Sequence, residues 1–141
     1  MEIPASEREK IPMPIDGKRA LMIVDDEMLI RWSLGERLTQ EGYHVFEAED
    51  GSSARRVFAI ESGRMDAIIL DLKLPDTDGL TLLGEFKGQK PACPVIMITA
   101  HGNEVTAGQA KDAGAYAFFN KPFKIDEIVG LVDEAIRASA A

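Results

Sequence analysis

The 141-residue sequence predicts an α/β protein, a doubly wound sandwich with helices on both faces of a five-stranded parallel sheet. Three observations carry this. From Arg19 onward, short apolar runs alternate with longer helical stretches five times. The central runs, Ile68-Ile69-Leu70 and Val95-Ile96-Met97-Ile98, are apolar throughout, as strands covered on both faces are. Five β–α units fill the length, whereas a closed barrel needs eight.

Residues 1–18 carry Pro4, Pro12 and Pro14 among charges, without apolar periodicity, and read as a flexible tail. The folded domain is expected over residues 19–138, with 139–141 a C-terminal tail or the start of a linker. The first strand is Ala20-Leu21-Met22-Ile23-Val24. A helix follows with Ile30, Leu34 and Leu38 on one stripe, closed by Gly42. His44-Val45-Phe46 is the second strand, and Ala54, Val57 and Phe58 mark the second helix. The third strand is Ala67-Ile68-Ile69-Leu70. Its helix starts near Asp78-Gly79 and carries Leu82, Leu83 and Phe86. The fourth strand, Val95 to Ile98, leads into a poor helix over about Glu104 to Ala113. That helix has Val105 as its one large aliphatic residue, Gly108 inside it and Gly114 after it. Tyr116 to Phe119 is the fifth strand. The last helix is plainly amphipathic through Ile125, Ile128, Val129, Val132 and Ile136.

Composition narrows the function. Acidic residues outnumber basic ones 24 to 16, a formal charge of −8, which argues against direct nucleic-acid binding or docking on anionic lipid. No apolar run approaches the roughly 20 residues of a membrane helix. A single cysteine, Cys93, excludes an intramolecular disulfide and fits a cytoplasmic setting.

Four of the five apolar runs end in residues able to do chemistry: Asp25-Asp26, Asp71, Thr99 and Lys121-Pro122. Parallel strands end at one edge of the sheet, so residues distant in sequence converge there. In the strand order 2-1-3-4-5, strands one and three meet at the topological switch point, where open sheets bind ligands. Clustered carboxylates suit a hard divalent cation, Mg²⁺. A lysine beside them makes sense if a phosphoryl group bridges metal and ammonium, and Thr99 offers a hydroxyl to a phosphoryl oxygen. A carboxylate can itself be the nucleophile, forming an aspartyl phosphate.

These residues, with Val24-Asp25-Asp26-Glu27, Asp71-Leu72-Lys73-Leu74-Pro75, Asp78-Gly79, Ile98-Thr99-Ala100, Gly114-Ala115 and Asn120-Lys121-Pro122-Phe123, closely resemble the receiver domains of bacterial two-component response regulators. Ile30-Arg31-Trp32 and Thr99-Ala100-His101-Gly102 look most like the receivers of NtrC-type, σ54-dependent activators. The resemblance implies a flavodoxin-like (βα)5 fold and a phosphorylation-switched signalling module controlling an output such as transcription. It implies that Asp71 accepts a phosphoryl group from a sensor histidine kinase. Asp25, Asp26, Asp71 and the backbone carbonyl of Lys73 would hold Mg²⁺, while Thr99 and Lys121 contact the phosphoryl oxygens. The peptide before Pro122 would be cis. The family's switch aromatic falls at Phe118, often tyrosine in relatives, so no ring hydroxyl can swing toward Thr99. The fourth helix, fifth strand and fifth helix would form the responsive face and a possible homodimer contact. The domain would assist its own phosphorylation and dephosphorylation without turning over a separate substrate.

Other readings compete. An aspartate-nucleophile phosphohydrolase of the haloacid dehalogenase type resembles Asp-x-Asp-x-Thr at a strand end, but Lys73 stands where the general acid belongs. A receiver acting without phosphorylation is disfavoured by the complete acidic set. An FMN-binding flavodoxin would need a hydroxyl-rich phosphate loop, where Asp25-Asp26-Glu27 would repel the phosphate. Asp25-Asp26 alone could cap the first helix. Asp76-Thr77-Asp78-Gly79 hints at a calcium loop, but Leu80 and Thr81 occupy its fifth and sixth positions, so a type I turn fits better. His44 and His101 lack ligand partners; His101, two residues past Thr99, and Lys73 could tune water access. Trp32 lies about 200° around its helix from Ile30, off the core stripe. It is either a partly covered aromatic or a contact for a kinase or neighbouring domain.

Overall fold

The computed structural model describes residues 18–140, with side chains to residue 139. The tail expected over 1–18 lies outside this range except for Lys18. Five strands, β1 (Ala20–Val24), β2 (His44–Ala48), β3 (Met65–Asp71), β4 (Val95–Thr99) and β5 (Ala117–Asn120), form one sheet in the order β2-β1-β3-β4-β5. All four pairings are parallel. The helices are α1 (Met28–Gln40), α2 (Gly51–Glu61), α3 (Gly79–Gln89), α4 (Glu104–Asp112) and α5 (Ile125–Ala140).

Alternation along the strands sends successive side chains to opposite faces of the sheet. Met22, Val24, Ile68, Leu70, Val95 and Met97 pack with Ala54 and Phe58 of α2, Leu82, Leu83 and Phe86 of α3, and Ala110 of α4. Leu21, Ile23, Ala67, Ile69, Ile96 and Ile98 pack with Leu34 and Leu38 of α1 and with Ile128, Val129, Val132 and Ile136 of α5. Every residue of β1 and β4 is buried, which is why those runs show no polar alternation. Phe58 and Phe86 stack at 4.5 Å between ring centroids, joining α2 to α3. Cys93 lies in the first core, and burial pushes its thiol up to about 11, so it is a packing residue rather than a reactive one. Among the described residues, no helix is long and apolar enough to cross a membrane.

The structure departs from the sequence reading in detail. β5 is displaced by one residue from Tyr116–Phe119, because ladder pairing begins at Ile96↔Ala117; the exposed Tyr116 instead donates its hydroxyl to Glu134 of α5. α5 continues past Ala138, where the domain was expected to end. Alanine and serine sustain the helix there, with the Ser139 hydroxyl donating to the Ala135 carbonyl. Trp32 is 61% exposed and shares the outer face of α1 with exposed Met28 and Leu29.

Candidate functional site

The ladder aligns the carboxyl ends of β1, β3, β4 and β5: Val24 lies opposite Leu70, Asp71 opposite Ile98 and Thr99 opposite Asn120. Asp25 therefore leaves β1 beside Asp71, the last residue of β3. Thr99 ends β4, and Lys121 follows β5. Asp26, Asp71, Lys73, Thr99, His101 and Lys121 line one cleft at this edge. One carboxylate oxygen from each of Asp25, Asp26 and Asp71 lies within 4.8 Å of the other two.

Asp25 does not cap α1. Its Oδ1 accepts from the Glu27 amide at 2.8 Å in a turn before the helix, and the N-cap position is Glu27, without a side-chain cap bond. The Asp25 amide donates to the Ala48 carbonyl, and its carbonyl accepts from the Arg31 guanidinium at 2.7 Å. Asp25 is completely buried, yet its Oδ2 has no hydrogen-bond donor; Lys121 Nζ stands 2.8 Å away as an ion-pair partner without hydrogen-bond geometry. A buried orphan carboxylate oxygen beside two further carboxylates fits a divalent cation, and the all-oxygen donor set is that of Mg²⁺.

Lys121 Nζ is also 3.1 Å from Asp71 Oδ2 and 2.9 Å from Glu27 Oε1. Burial opposes its charge, but the adjoining carboxylates of Asp25, Glu27 and Asp71 outweigh it and hold the ammonium above its ordinary range. Asp71 is raised as well, which for a carboxyl disfavours the charged form. Burial and the nearby Asp25 charge raise its carboxyl to about 6, against the lowering effects of Lys121 and the Lys73 amide. That amide donates to Asp71 Oδ1 at 3.2 Å. The Thr99 hydroxyl, almost completely buried, accepts from the His101 amide at 3.2 Å. The Lys121 amide donates to the Thr99 carbonyl at 2.7 Å, and the Lys121–Pro122 peptide is cis. Phe118 is half-buried; its ring edge and the Thr99 methyl both border Gly102.

Glu27 escaped the sequence reading, although its position directly after the acidic pair was a signal. Arg31 escaped it too. It pairs with Glu47 at 3.3 Å and so ties α1 to β2 and to the Asp25 backbone. Asp76 and Asp78 form no calcium loop: Asp78 caps α3 through the Thr81 amide, and Asp76 accepts from two amides of α2. His44 stacks edge-on against Phe46, away from the cleft.

Parallel topology, an acidic cluster at the switch point and a lysine among the carboxylates define a phosphoryl-handling switch domain, and comparison with known proteins agrees. The family model of the response regulator receiver domain matches residues 21–133, and the chain belongs to that family. It is 38% identical over 120 residues to the transcriptional regulatory protein GlrR of Escherichia coli strain K12, covering 85% of this chain and 27% of that protein. It is 40% identical over 114 residues to the DNA-binding transcriptional regulator NtrC of Klebsiella pneumoniae, covering 81% of this chain and 24% of that protein. The chain thus spans about a quarter of the length of these curated relatives. The CheY-like response regulator receiver domain protein of Methanospirillum hungatei JF-1 superposes with a TM-score of 0.83 at 26% identity, covering 87% of this chain and 97% of that one. The chain is therefore a receiver domain, a signalling unit rather than a conventional enzyme, with an acidic pocket of the kind in which receivers hold Mg²⁺.

Proposed function

We propose that Asp71 accepts a phosphoryl group from a sensor histidine kinase and that the aspartyl phosphate switches the surface of the domain. The observation that carries this is the joint placement of Asp25, Asp26, Asp71 and Lys121 in one cleft, with Asp71 at its floor. An Asp71 carboxylate oxygen attacks phosphorus, the bond from phosphorus to the donor's imidazole nitrogen breaks, and that nitrogen keeps the electron pair. Asp25, Asp26, Asp71 and the Lys73 carbonyl would hold Mg²⁺, which supplies charge neutralisation for the incoming phosphoryl oxygens. Lys121, released from Asp71, pairs with one phosphoryl oxygen, and the Thr99 hydroxyl donates to another. Movement of Thr99 reaches Phe118 through their shared packing at Gly102. The responsive face is α4, β5 and α5, where Val105 and Tyr116 are exposed; it alters self-association or a partner's activity. The exposed Met28, Leu29 and Trp32 beside the acidic pair suit the kinase or a neighbouring domain. The setting is cytoplasmic and the output is transcription, by likeness to the regulators above.

The test is intact mass after incubation with acetyl phosphate, with and without Mg²⁺. A Mg²⁺-dependent gain of one phosphoryl group, absent in Asp71→Asn, is expected. No gain in folded protein would overturn the assignment. His101→Ala and Lys73→Ala, which truncate exposed side chains at the cleft mouth, are expected to lose the phosphoryl group several-fold faster by admitting water. Unchanged decay of the phosphorylated mass would remove both residues from that role.

A further inference from the structure

The loop that carries Lys73 runs from the end of β3 to the start of α3. Its root is closed by main-chain bonds: the Gly79 amide donates to the Leu72 carbonyl at 2.6 Å, and Lys73 bridges to Asp78. Its tip is tied to a different element. Asp76 Oδ1 accepts from the Gly51 amide at 2.7 Å and Oδ2 from the Ser52 amide at 2.9 Å. These are the first two amides of α2, donors that no helical carbonyl can satisfy, at the positive end of an 11-residue helix. The third amide, of Ser53, is met by Asp50, the cap of the helix itself. The seat is shaped for the loop. A Cβ at Gly51 would stand 2.5 Å from Thr77 Cγ2 and 3.1 Å from Asp76 Oδ1, so a side chain here would push the loop's Thr77 and Asp76 side chains aside. Arg55, one turn along α2, faces Asp76 electrostatically while binding Glu85 of α3 through two bonds of 2.9 Å.

We infer that Asp76 is a positioning residue for the divalent-cation site: its clamp on the α2 N-terminus fixes the loop on which Lys73 presents its carbonyl to the metal. This rests on the reading of the acidic cleft as a Mg²⁺ site. Asp76 lies outside the cleft and touches none of the carboxylates there. Its effect therefore runs through loop geometry, as outer contacts tune metal ligands elsewhere.

The experiment titrates MgCl₂ alone, without phosphodonor, into the wild type, Asp76→Ala, Asp76→Asn and Asp50→Ala, following amide chemical shifts around the cleft. Asp50→Ala also strips one cap from α2 but leaves the loop clamp in place, so it controls for simple loss of helix stability. The expected result is several-fold weaker Mg²⁺ binding in Asp76→Ala, up to about tenfold. Asp50→Ala should match the wild type. Asp76→Asn, which keeps one acceptor oxygen, should fall between and serves as the test if the alanine variant does not fold. Equal affinity in wild type and the Asp76 variants would overturn the inference while leaving the proposed function standing. Equal weakening in Asp50→Ala and Asp76→Ala would overturn it as well. A wild type without saturable shifts at the cleft would overturn the Mg²⁺ reading and this inference together.

Discussion

Gly79→Ala is expected to cost about 2–3 kcal/mol of stability and to slow phosphorylation by roughly a hundredfold. A Cβ at this position would stand 2.4 Å from the Asp71 carbonyl oxygen, 2.7 Å from Leu72 Cα and 3.1 Å from the Asp71 carbonyl carbon. All three are backbone atoms, so no rotamer change relieves the contact. Either the end of β3 or the start of α3 must move. The first choice displaces Asp71 relative to Lys121 and the Lys73 amide. The second breaks the 2.6 Å bond from the Gly79 amide to the Leu72 carbonyl. Gly84, five residues on in the same helix with nothing within 4 Å of its hypothetical Cβ, is the control. Gly84→Ala is expected to stabilise by about 0.8 kcal/mol through helix propensity and to leave phosphorylation unchanged. Thermal midpoints and the rate of mass gain from acetyl phosphate check both. A Gly79→Ala protein that matched the wild type in both measurements would refute the steric argument.

The contrast between these glycines shows where sequence reading stops. Local pattern places Gly79 at the helix start after Asp78 and Gly84 in the helix interior, but it does not show that one of them abuts the Asp71 backbone; that proximity exists only once α3 has docked. The strands were legible because burial on both faces forces unbroken apolar runs such as Leu21-Met22-Ile23. Their order, once five β–α units are accepted, brings Asp25, Asp71, Thr99 and Lys121 to one edge without any detail of packing. What depends on loop trajectory stayed hidden. Asp76 reads as a turn residue until its carboxylate is found on α2. Glu27 reads as part of an acidic run until Lys121 reaches it. Arg31 stands in the sequence only as part of the Ile30-Arg31-Trp32 string, and its guanidinium is found between Glu47 and the Asp25 carbonyl only in the fold. Trp32 shows the converse: periodicity placed it off the core stripe, but how far it is exposed, 61% among the described residues, depends on what packs along that face of α1.

Lys121→Ala is expected to destabilise the metal-free protein at pH 8 by about 3 kcal/mol, roughly 10 °C in thermal midpoint, and much less at pH 5. Lys121 is the cation among Asp25, Asp71 and Glu27, and its side chain is only 9% exposed. Removing it leaves the buried Asp25 and Asp71 carboxylates facing each other without compensation. The sign follows from Asp71. Its folded-state carboxyl titrates near 6, above the ordinary 3.8, so the native state takes up a proton before the unfolded chain does. Native stability from this group therefore rises as pH falls through about 6 toward 4, and is lost as pH rises again. Without the ammonium, Asp71 holds its proton more tightly still, and protonation relieves the repulsion that the substitution creates. The gap between wild type and variant should thus close on acidification. Mg²⁺ at pH 8 should restore much of the lost stability by supplying the missing positive charge. Asp71→Asn should flatten the wild-type slope between pH 4 and 6, and adding it to Lys121→Ala should recover part of the deficit at pH 8. Calorimetric midpoints in EDTA and in MgCl₂, at pH 5 and pH 8, check the set. A deficit for Lys121→Ala that is the same at both pH values would show that lost packing of the lysine stem, not uncompensated charge, is what the substitution costs.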